Sequence, residues 1–232
     1  MGDIKKHTRV NDILLGPLER PALNWFAKNM PSWITPDICT IIGVIGAVII
    51  SGSYILSRID RNILWLASLG FVINWFGDSM DGTLARYREI ERPIFGFFID
   101  HIVDAGSQVI IFLGLGLTTY VNFDIACLTL IAYLLLSILA YVRTYAVGEF
   151  KISYGKLGPT EVRVLAILLN TWMYFGGVHS VSVPLGPFGS MNISPYDYFV
   201  GFIGLLLFYF FFVTAIKDAI YLSGVDKGMS QK

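Results

Sequence analysis

The sequence predicts an all-α integral membrane protein with six transmembrane helices, preceded by an amphipathic helix at the membrane interface. Three observations lead to this fold class. The chain of 232 residues is 55% hydrophobic and only 15% charged, whereas a soluble globular domain carries about 25% charged residues. Its mean hydropathy is +0.64. The apolar residues also form stretches long enough for membrane helices, each of which needs about 20 apolar residues.

Six apolar stretches have the length of a spanning helix: 37–57, 62–80, 96–119, 123–145, 160–177 and 196–220. Before them, residues 11–34 interleave apolar side chains such as Leu14 and Trp25 with Arg20 and Lys28, which is typical of a helix lying in the interface. We therefore divide the chain into three parts. They are an N-terminal cytoplasmic or interfacial segment (1–36), a six-helix transmembrane domain (37–222) and a short, loose cytoplasmic tail (223–232).

Lysine and arginine residues are unevenly distributed among the loops. If both termini share one side of the membrane, that side carries 15 of the 17 basic residues, and only Arg58 and Arg61 lie opposite. The positive-inside rule then places both termini in the cytoplasm. The formal net charge is zero, which argues against a nucleic-acid partner.

Four aspartates lie at the facing ends of two consecutive predicted spans, on the same cytoplasmic side. Asp78 and Asp81 are three residues apart, and Asp100 and Asp104 are four apart, so each pair shares one helix face. Carboxylates near membrane depth are costly and usually mark a functional site. If the two helices are neighbours, the four carboxylates repel one another unless cations neutralise them. Mg²⁺ prefers such oxygen ligands, and two ions form a clamp suited to phosphoryl transfer.

The residues after the first pair favour a bound anion. Gly82 permits close backbone approach, Ala85 keeps its position small, and Arg86 carries a planar guanidinium. One alternative is that the aspartates are ordinary interfacial carboxylates paired with Arg86, Arg88 and Arg92. Another is a divalent-cation transporter, which would favour carboxylates in mid-span with access from both sides. Four carboxylates at helical spacing, clustered at one side beside a glycine and an arginine, favour a metal-dependent enzyme over both.

At these residues the chain resembles the CDP-alcohol phosphotransferase family. The segments DSMDGTLAR (78–86) and GFFIDHIVD (96–104), separated by nine residues, are similar to the family signature D-x-x-D-G-x-x-A-R followed by G-x-x-x-D-x-x-x-D. Six spans and an amphipathic N-terminal segment also resemble this family. The resemblance implies an enzyme of phospholipid synthesis. Such an enzyme transfers a phosphoalcohol unit from a CDP-linked donor to an acceptor hydroxyl and releases CMP.

The resemblance also implies roles for individual positions. Four would bind Mg²⁺ or Mn²⁺, as two ions: Asp78, Asp81, Asp100 and Asp104. Asp104 would in addition be the general base. Three would contact the donor. Gly82 and Ala85 would form the floor of a cytidine pocket, and Arg86 would be a partner for the donor phosphates. The implied partners are a CDP-linked alcohol donor, a lipid or polar alcohol acceptor, membrane lipids and a second copy of the chain in a homodimer.

Residues outside the signature bear on which alcohol is transferred. His101 directly follows the third aspartate and, with the run TEV at 160–162, resembles the choline/ethanolamine phosphotransferase branch. The donor of that branch is a CDP-amino alcohol and its acceptor is a diacyl lipid. We expect this pair of substrates here.

A basic set points to a different substrate pair. Its members are Arg143, Lys151, Lys156 and Arg163. With the run YVR at 141–143, it resembles the branch that uses CDP-diacylglycerol and a polar acceptor such as inositol, inositol phosphate, glycerol phosphate or serine. These cations alternatively follow only the positive-inside rule or bind anionic lipid heads. We therefore treat four residues as candidate acceptor or phosphate contacts: His101, Arg143, Lys156 and Arg163.

Overall fold

The computed structural model describes residues 8–10, 14–147, 149–151, 158–184 and 190–229. Seven α-helices make up most of it: α1 (Gly16–Asn29), α2 (Pro36–Leu56), α3 (Leu64–Tyr87), α4 (Pro93–Gly116), α5 (Phe123–Val147), α6 (Pro159–Gly176) and α7 (Pro195–Met229). Four short strands form two small sheets, which the sequence did not predict. The parallel sheet pairs β1 (Thr8–Val10) with β2 (Glu149–Lys151), and the antiparallel sheet pairs β3 (Val181–Pro184) with β4 (Ser190–Ile193).

Five of the described helices are long and apolar enough to cross a membrane: α2, α3, α4, α5 and α7. The predicted all-α membrane fold is therefore confirmed. Helix α6 forms where the fifth span (160–177) was predicted, but it is not among these five. It carries Glu161, Arg163 and Asn170, which lower its mean hydropathy. All three residues are buried, so α6 directs these polar groups into the protein and away from lipid.

Two helix boundaries differ from the sequence prediction. The amphipathic helix α1 ends at Asn29, earlier than the predicted limit at residue 34, because Pro31 and the extended backbone at Met30 stop it. Helix α7 continues through Met229, so residues 223–229, the described part of the expected loose tail, extend the last helix instead. That segment contains glycines but no proline, and an isolated glycine lowers helix stability without ending the helix.

Helices α2 and α3 cross at a contact built on glycine. A Cβ added at Gly77 would lie 2.2 Å from the backbone nitrogen of Gly43, and one added at Gly46 would lie 2.5 Å from that of Asn74. Only glycine permits the two backbones to approach this closely. The crossing sets the position of the α3 turn that follows Gly77, which carries the first aspartate pair.

A chain of polar groups links α2, α3 and α6 inside the apolar core. The Tyr54 hydroxyl donates to Asn170 Oδ1 at 2.8 Å, and Asn170 Nδ2 donates to Ser68 Oγ at 3.2 Å. Buried polar groups without partners are costly, so this chain favours one orientation of α6 against its neighbours.

Helix α1 is fastened to the membrane helices by Glu19. Its Oε1 accepts hydrogen bonds from Trp75 Nε1 at 2.9 Å and Ser79 Oγ at 3.0 Å, both on α3. Its Oε2 accepts from the Thr160 hydroxyl of α6 at 3.0 Å. One carboxylate therefore joins three helices, next to the aspartate segment of α3.

Glu161 makes the reciprocal contact from α6. Its Oε1 accepts the backbone N–H of Leu15 at 2.8 Å, just before α1, and its Oε2 accepts the N–H of Gly158 at 2.9 Å. The second bond satisfies a free donor at the start of α6. The two glutamates thus fix the start of α1 against the start of α6.

Replacing Glu19 by alanine is expected to loosen α1. Three donors lose their acceptor, and an unsatisfied buried donor costs about 1–3 kcal/mol. We expect faster hydrogen–deuterium exchange across Gly16–Asn29 in detergent or nanodiscs. Asn24→Ala, at an exposed position of the same helix, is the matched control. Equal exchange in the two variants would contradict the proposed docking role.

Candidate active site

Asp81 is held at the junction of α2 and α3. Its Oδ2 accepts a hydrogen bond from the Thr40 hydroxyl at 2.8 Å, and its Oδ1 accepts the backbone N–H of Gly82. Thr40 can reach it because the glycine crossing brings α2 and α3 close together. Charge-assisted bonds of this kind fix the orientation of a carboxylate.

Asp78, Asp100 and Asp104 form a compact carboxylate group between α3 and α4. One oxygen from each lies within 4.8 Å of the other two. Asp81 lines the same small pocket but turns toward Thr40. The other lining residues are Gly43, Asn74, Val103 and Ser107.

This group of three carboxylates fits a hard divalent cation. Carboxylate oxygens are preferred ligands of Mg²⁺ and Mn²⁺. Three carboxylates this close repel one another, and a bound cation removes the repulsion. Asp78, Asp100 and Asp104 are therefore the described residues that could hold an ion, and Asp81 is placed to join them on the same pocket wall.

Arg163 of α6 enters the same site. It is 7% exposed, and its Nη2 donates to Asp78 Oδ2 at 2.7 Å. Its Nε donates to Asn74 Oδ1 at 2.9 Å, and Asn74 Nδ2 donates to the Gly43 carbonyl at 2.9 Å. Asn74 therefore bonds across to α2 and also supports the arginine on Asp78.

Gly82, Ala85 and Arg86 lie on the last turns of α3, beyond Asp81. Arg86 is exposed, and its Nη2 lies 3.3 Å from the Thr83 hydroxyl. A Cβ added at Gly82 would lie 3.2 Å from Arg86 Nη1, so the glycine leaves room for this guanidinium.

Arg88 binds the loop between α1 and α2, and Arg92 binds the first turn of α2. The Arg88 guanidinium donates to carbonyls there, including those of Met30 at 3.1 Å and Pro31 at 2.8 Å. Arg92 forms an ion pair with Asp37. These contacts argue against the alternative in which both arginines serve as partners of the four aspartates.

His101 lies beside the carboxylate group. Its Nδ1 is 2.6 Å from the Phe97 carbonyl and 3.6 Å from Asp100 Oδ2. The ring packs on Phe97, with centroids 4.1 Å apart, and edge-on against Tyr141 of α5 at 4.9 Å. The structure therefore places His101 between α4 and α5, next to a candidate metal ligand.

Arg143 does not contact the carboxylate group but lies beside α7. Its Nε lies 3.4 Å from Asp218 Oδ2 of α7. Tyr141, two residues earlier, faces α4, and two residues correspond to about 200° around a helix. Arg143 therefore faces α7, away from the carboxylate group. Lys156 lies outside the described residues, as does the side chain of Lys151.

Three residues that make specific contacts in the structure escaped the sequence analysis: Glu19 and Gly77, which hold the helices around the site, and Asp218, the partner of Arg143. Two of them carried a usable pattern. Glu19 is an acidic residue in the first turn of an amphipathic helix, and Asp218 is an ionisable residue in the last apolar span, which by itself suggests a specific partner. Gly77 carried none, since its role depends on which helix lies opposite.

The fold and the site together define a multi-pass membrane protein with a carboxylate site between two consecutive helices. The family model for CDP-alcohol phosphatidyltransferase matches residues 33–191, and the chain belongs to this family. This confirms the family expected from the signature, a class of transferases of phosphate-containing groups.

Similar proteins come from two groups. Cholinephosphotransferase 1 of Danio rerio is 27% identical over 199 residues, which cover 76% of this chain and 51% of that protein. Its counterpart in Gallus gallus is 27% identical over 195 residues, which cover 78% and 57%. Archaetidylinositol phosphate synthase of Pyrococcus horikoshii is 33% identical over 123 residues, which cover 52% and 59%. The chain spans about half the length of these curated relatives.

Proposed function

We propose that this protein transfers a phosphoalcohol unit from a CDP-linked donor to an acceptor hydroxyl and releases CMP. The observation that carries the proposal is the convergence of Asp78, Asp100 and Asp104 within 4.8 Å, at the residues of the family signature. Mg²⁺ or Mn²⁺ held there, as two ions with Asp81 completing the ligand set, would neutralise the phosphates of the donor. Phosphoryl transfer depends mainly on such neutralisation and on positioning.

We assign roles to the other signature residues from their positions in the site. Asp104 takes the proton of the acceptor hydroxyl as general base, which requires a carboxylate within hydrogen-bond reach of that hydroxyl. Arg86, exposed past the first aspartate pair, binds the donor phosphates. Gly82 and Ala85 form the floor beneath the cytidine.

For the substrates we propose a CDP-amino alcohol donor and a diacylglycerol-like acceptor. His101 beside Asp100 and the similarity to cholinephosphotransferase 1 support this choice. A phosphorylated polar acceptor would favour a cation that is not already paired within the protein. Of the four basic candidates, Arg143 and Arg163 are each paired with a carboxylate, and the side chains of Lys151 and Lys156 lie outside the described residues. The alternative is a CDP-diacylglycerol donor with a polar acceptor, which the similarity to archaetidylinositol phosphate synthase supports.

We propose further that the site opens to the cytoplasm and that the protein is a homodimer. The first proposal rests on the distribution of basic residues, because Arg86, Arg88 and Arg92 lie at the same ends of α3 and α4 as the aspartates. The second rests on the family alone. Cysteine labelling from each side of the membrane and crosslinking in native membranes would test them.

The direct test is CMP release by purified protein with Mg²⁺ or Mn²⁺ across a panel of substrates. CDP-choline and CDP-ethanolamine are paired with diacylglycerol. CDP-diacylglycerol is paired with inositol, inositol phosphate, glycerol phosphate and serine. We expect release with the first group, whereas release only with the second would select the alternative. No release with any pair would refute the proposed activity.

Donor binding should depend on both metal and carboxylates. At 100 times its Kd, a CDP-alcohol stabilises the folded protein by about 2.7 kcal/mol, so we expect a rise in Tm that requires Mg²⁺ and disappears in Asp100→Asn. Asp124→Asn, exposed in the first turn of α5, is the control and should respond like the wild type. A cation transporter would instead be stabilised by Mg²⁺ with no added effect of the nucleotide.

A further inference from the structure

Arg163 joins three helices at the carboxylate group. The backbone carbonyl of Gly43 on α2 accepts from Asn74, Asn74 accepts from Arg163 Nε, and Arg163 Nη2 donates to Asp78. The arginine side chain is 9% exposed. Both of its partners lie on one face of α3, because they are four residues apart.

The geometry restricts the rotation of both groups. The guanidinium is rigid and planar, and bonds from two different nitrogens to two different side chains fix the orientation of its plane. The charge-assisted bond at 2.7 Å then fixes Oδ2 of Asp78. The other carboxylate oxygen of Asp78 is thereby also held in a defined direction. Asp78 is one of the three residues of the carboxylate group.

Arg163 is also committed within the protein. A guanidinium that binds a phosphate bidentately must offer two donors to it. In Arg163, Nε and Nη2 already serve Asn74 and Asp78. Its other N–H donors belong to a side chain that is only 9% exposed, so an acceptor phosphate could reach them only if the side chain or its neighbours moved.

We propose that Arg163 is a positioning residue that, through its bond to Oδ2, holds Asp78 ready to bind a cation, with Asn74 holding the arginine. The inference builds on the proposed function, because the cation is the one expected for that reaction. It assigns no direct substrate contact to Arg163. Positioning and simple electrostatics make opposite predictions for cation affinity. Loss of a positive charge beside three carboxylates would by itself strengthen cation binding, whereas loss of orientation weakens it.

The test is Mn²⁺ binding to the purified full-length protein, measured by electron paramagnetic resonance in the absence of substrates. We expect Arg163→Gln to weaken Mn²⁺ binding at least tenfold and Arg163→Lys to weaken it less. Lysine keeps the charge but is a compact point donor that cannot reproduce the rigid fork. Arg58→Gln, at an exposed arginine on the loop between α2 and α3, is the matched control and should bind like the wild type.

Kinetics supply a second measurement. For Arg163→Lys we expect kcat to recover as the Mn²⁺ concentration rises, with an unchanged KM for the acceptor. A raised acceptor KM with normal Mn²⁺ binding would overturn the proposal in favour of a substrate contact. Tighter Mn²⁺ binding by Arg163→Gln would overturn it in favour of electrostatics, and equal binding would overturn it by showing that Arg163 does not affect the cation. If Arg163→Gln does not fold, Arg163→Lys tests the proposal by itself. Unchanged Mn²⁺ affinity in Arg163→Lys would exclude a positioning role for Arg163.

The two proposals can fail separately. Wild-type protein that binds Mn²⁺ but releases no CMP would refute the proposed function and leave the role of Arg163 intact. Wild-type protein that releases CMP, with Mn²⁺ affinity insensitive to Arg163, would refute the role of Arg163 alone.

Discussion

Replacing Asp104 by asparagine is expected to lower the rate of CMP release by about 10²–10⁴-fold, the usual contribution of a general base. Asparagine preserves the shape of the side chain but cannot accept a proton from the acceptor hydroxyl. Asp78, Asp81 and Asp100 remain to hold the cation and the donor phosphates. We therefore expect the Mg²⁺-dependent rise in Tm with a CDP-alcohol to be largely retained.

Asp124→Asn provides the matched control for this experiment. It makes the same chemical change at an exposed position at the start of α5, whereas Asp104 lies in the first half of α4. Its rate should equal that of the wild type. A variant at Asp104 that turns over normally would exclude the general-base role. Loss of donor binding together with turnover would show that Asp104 acts chiefly as a metal ligand.

Gly77→Ala is expected to produce the second large effect, this time through packing. The added Cβ would lie 2.2 Å from Gly43 nitrogen and 2.6 Å from the Cys39 carbonyl oxygen. Both atoms are backbone, so the helices must move apart. Overpacking of this kind costs about 1–3 kcal/mol in free energy of unfolding. Asp78 follows Gly77 directly, so the shift should also lower the rate of CMP release.

Gly106→Ala separates the packing effect from the chemistry of the substitution. Apart from its chain neighbours and its own helix backbone, a Cβ at Gly106 would meet no heavy atom of the described residues within 4 Å. Alanine also favours the helix by about 1 kcal/mol relative to glycine. Thermal unfolding in detergent should therefore show a lower Tm for Gly77→Ala and an equal or higher Tm for Gly106→Ala. Equal Tm values would mean that α2 and α3 are not held at this contact.

The helices could be predicted from the sequence because their evidence is local. Apolar stretches of membrane length are set by the residues themselves, and the predicted spans correspond to α2 through α7. Helix α6 shows the limit of this approach. Its polar residues are buried against Asn74, Ser68 and Tyr54, and a hydropathy pattern does not show what lies opposite a side chain.

In the candidate site, too, some residues could be predicted from the sequence and others could not. Asp78, Asp81, Asp100 and Asp104 could be singled out as candidates because helical spacing places each pair on one face and because a carboxylate near lipid is costly. The basic set was more ambiguous. Arg143 and Arg163 are similar in sequence context, yet one binds Asp218 on α7 and the other binds Asp78.

The sequence by itself determined the membrane fold, the family and the four aspartates, since length, composition and spacing are properties of a single helix or motif. Only the tertiary structure decided that three carboxylates meet while Asp81 turns to Thr40, that Glu19 joins α1 to the bundle, and that Arg163 belongs to the carboxylate site. These features depend on contacts between helices distant in the chain. Such contacts are fixed by close packing at glycines and by the need to pair buried polar groups.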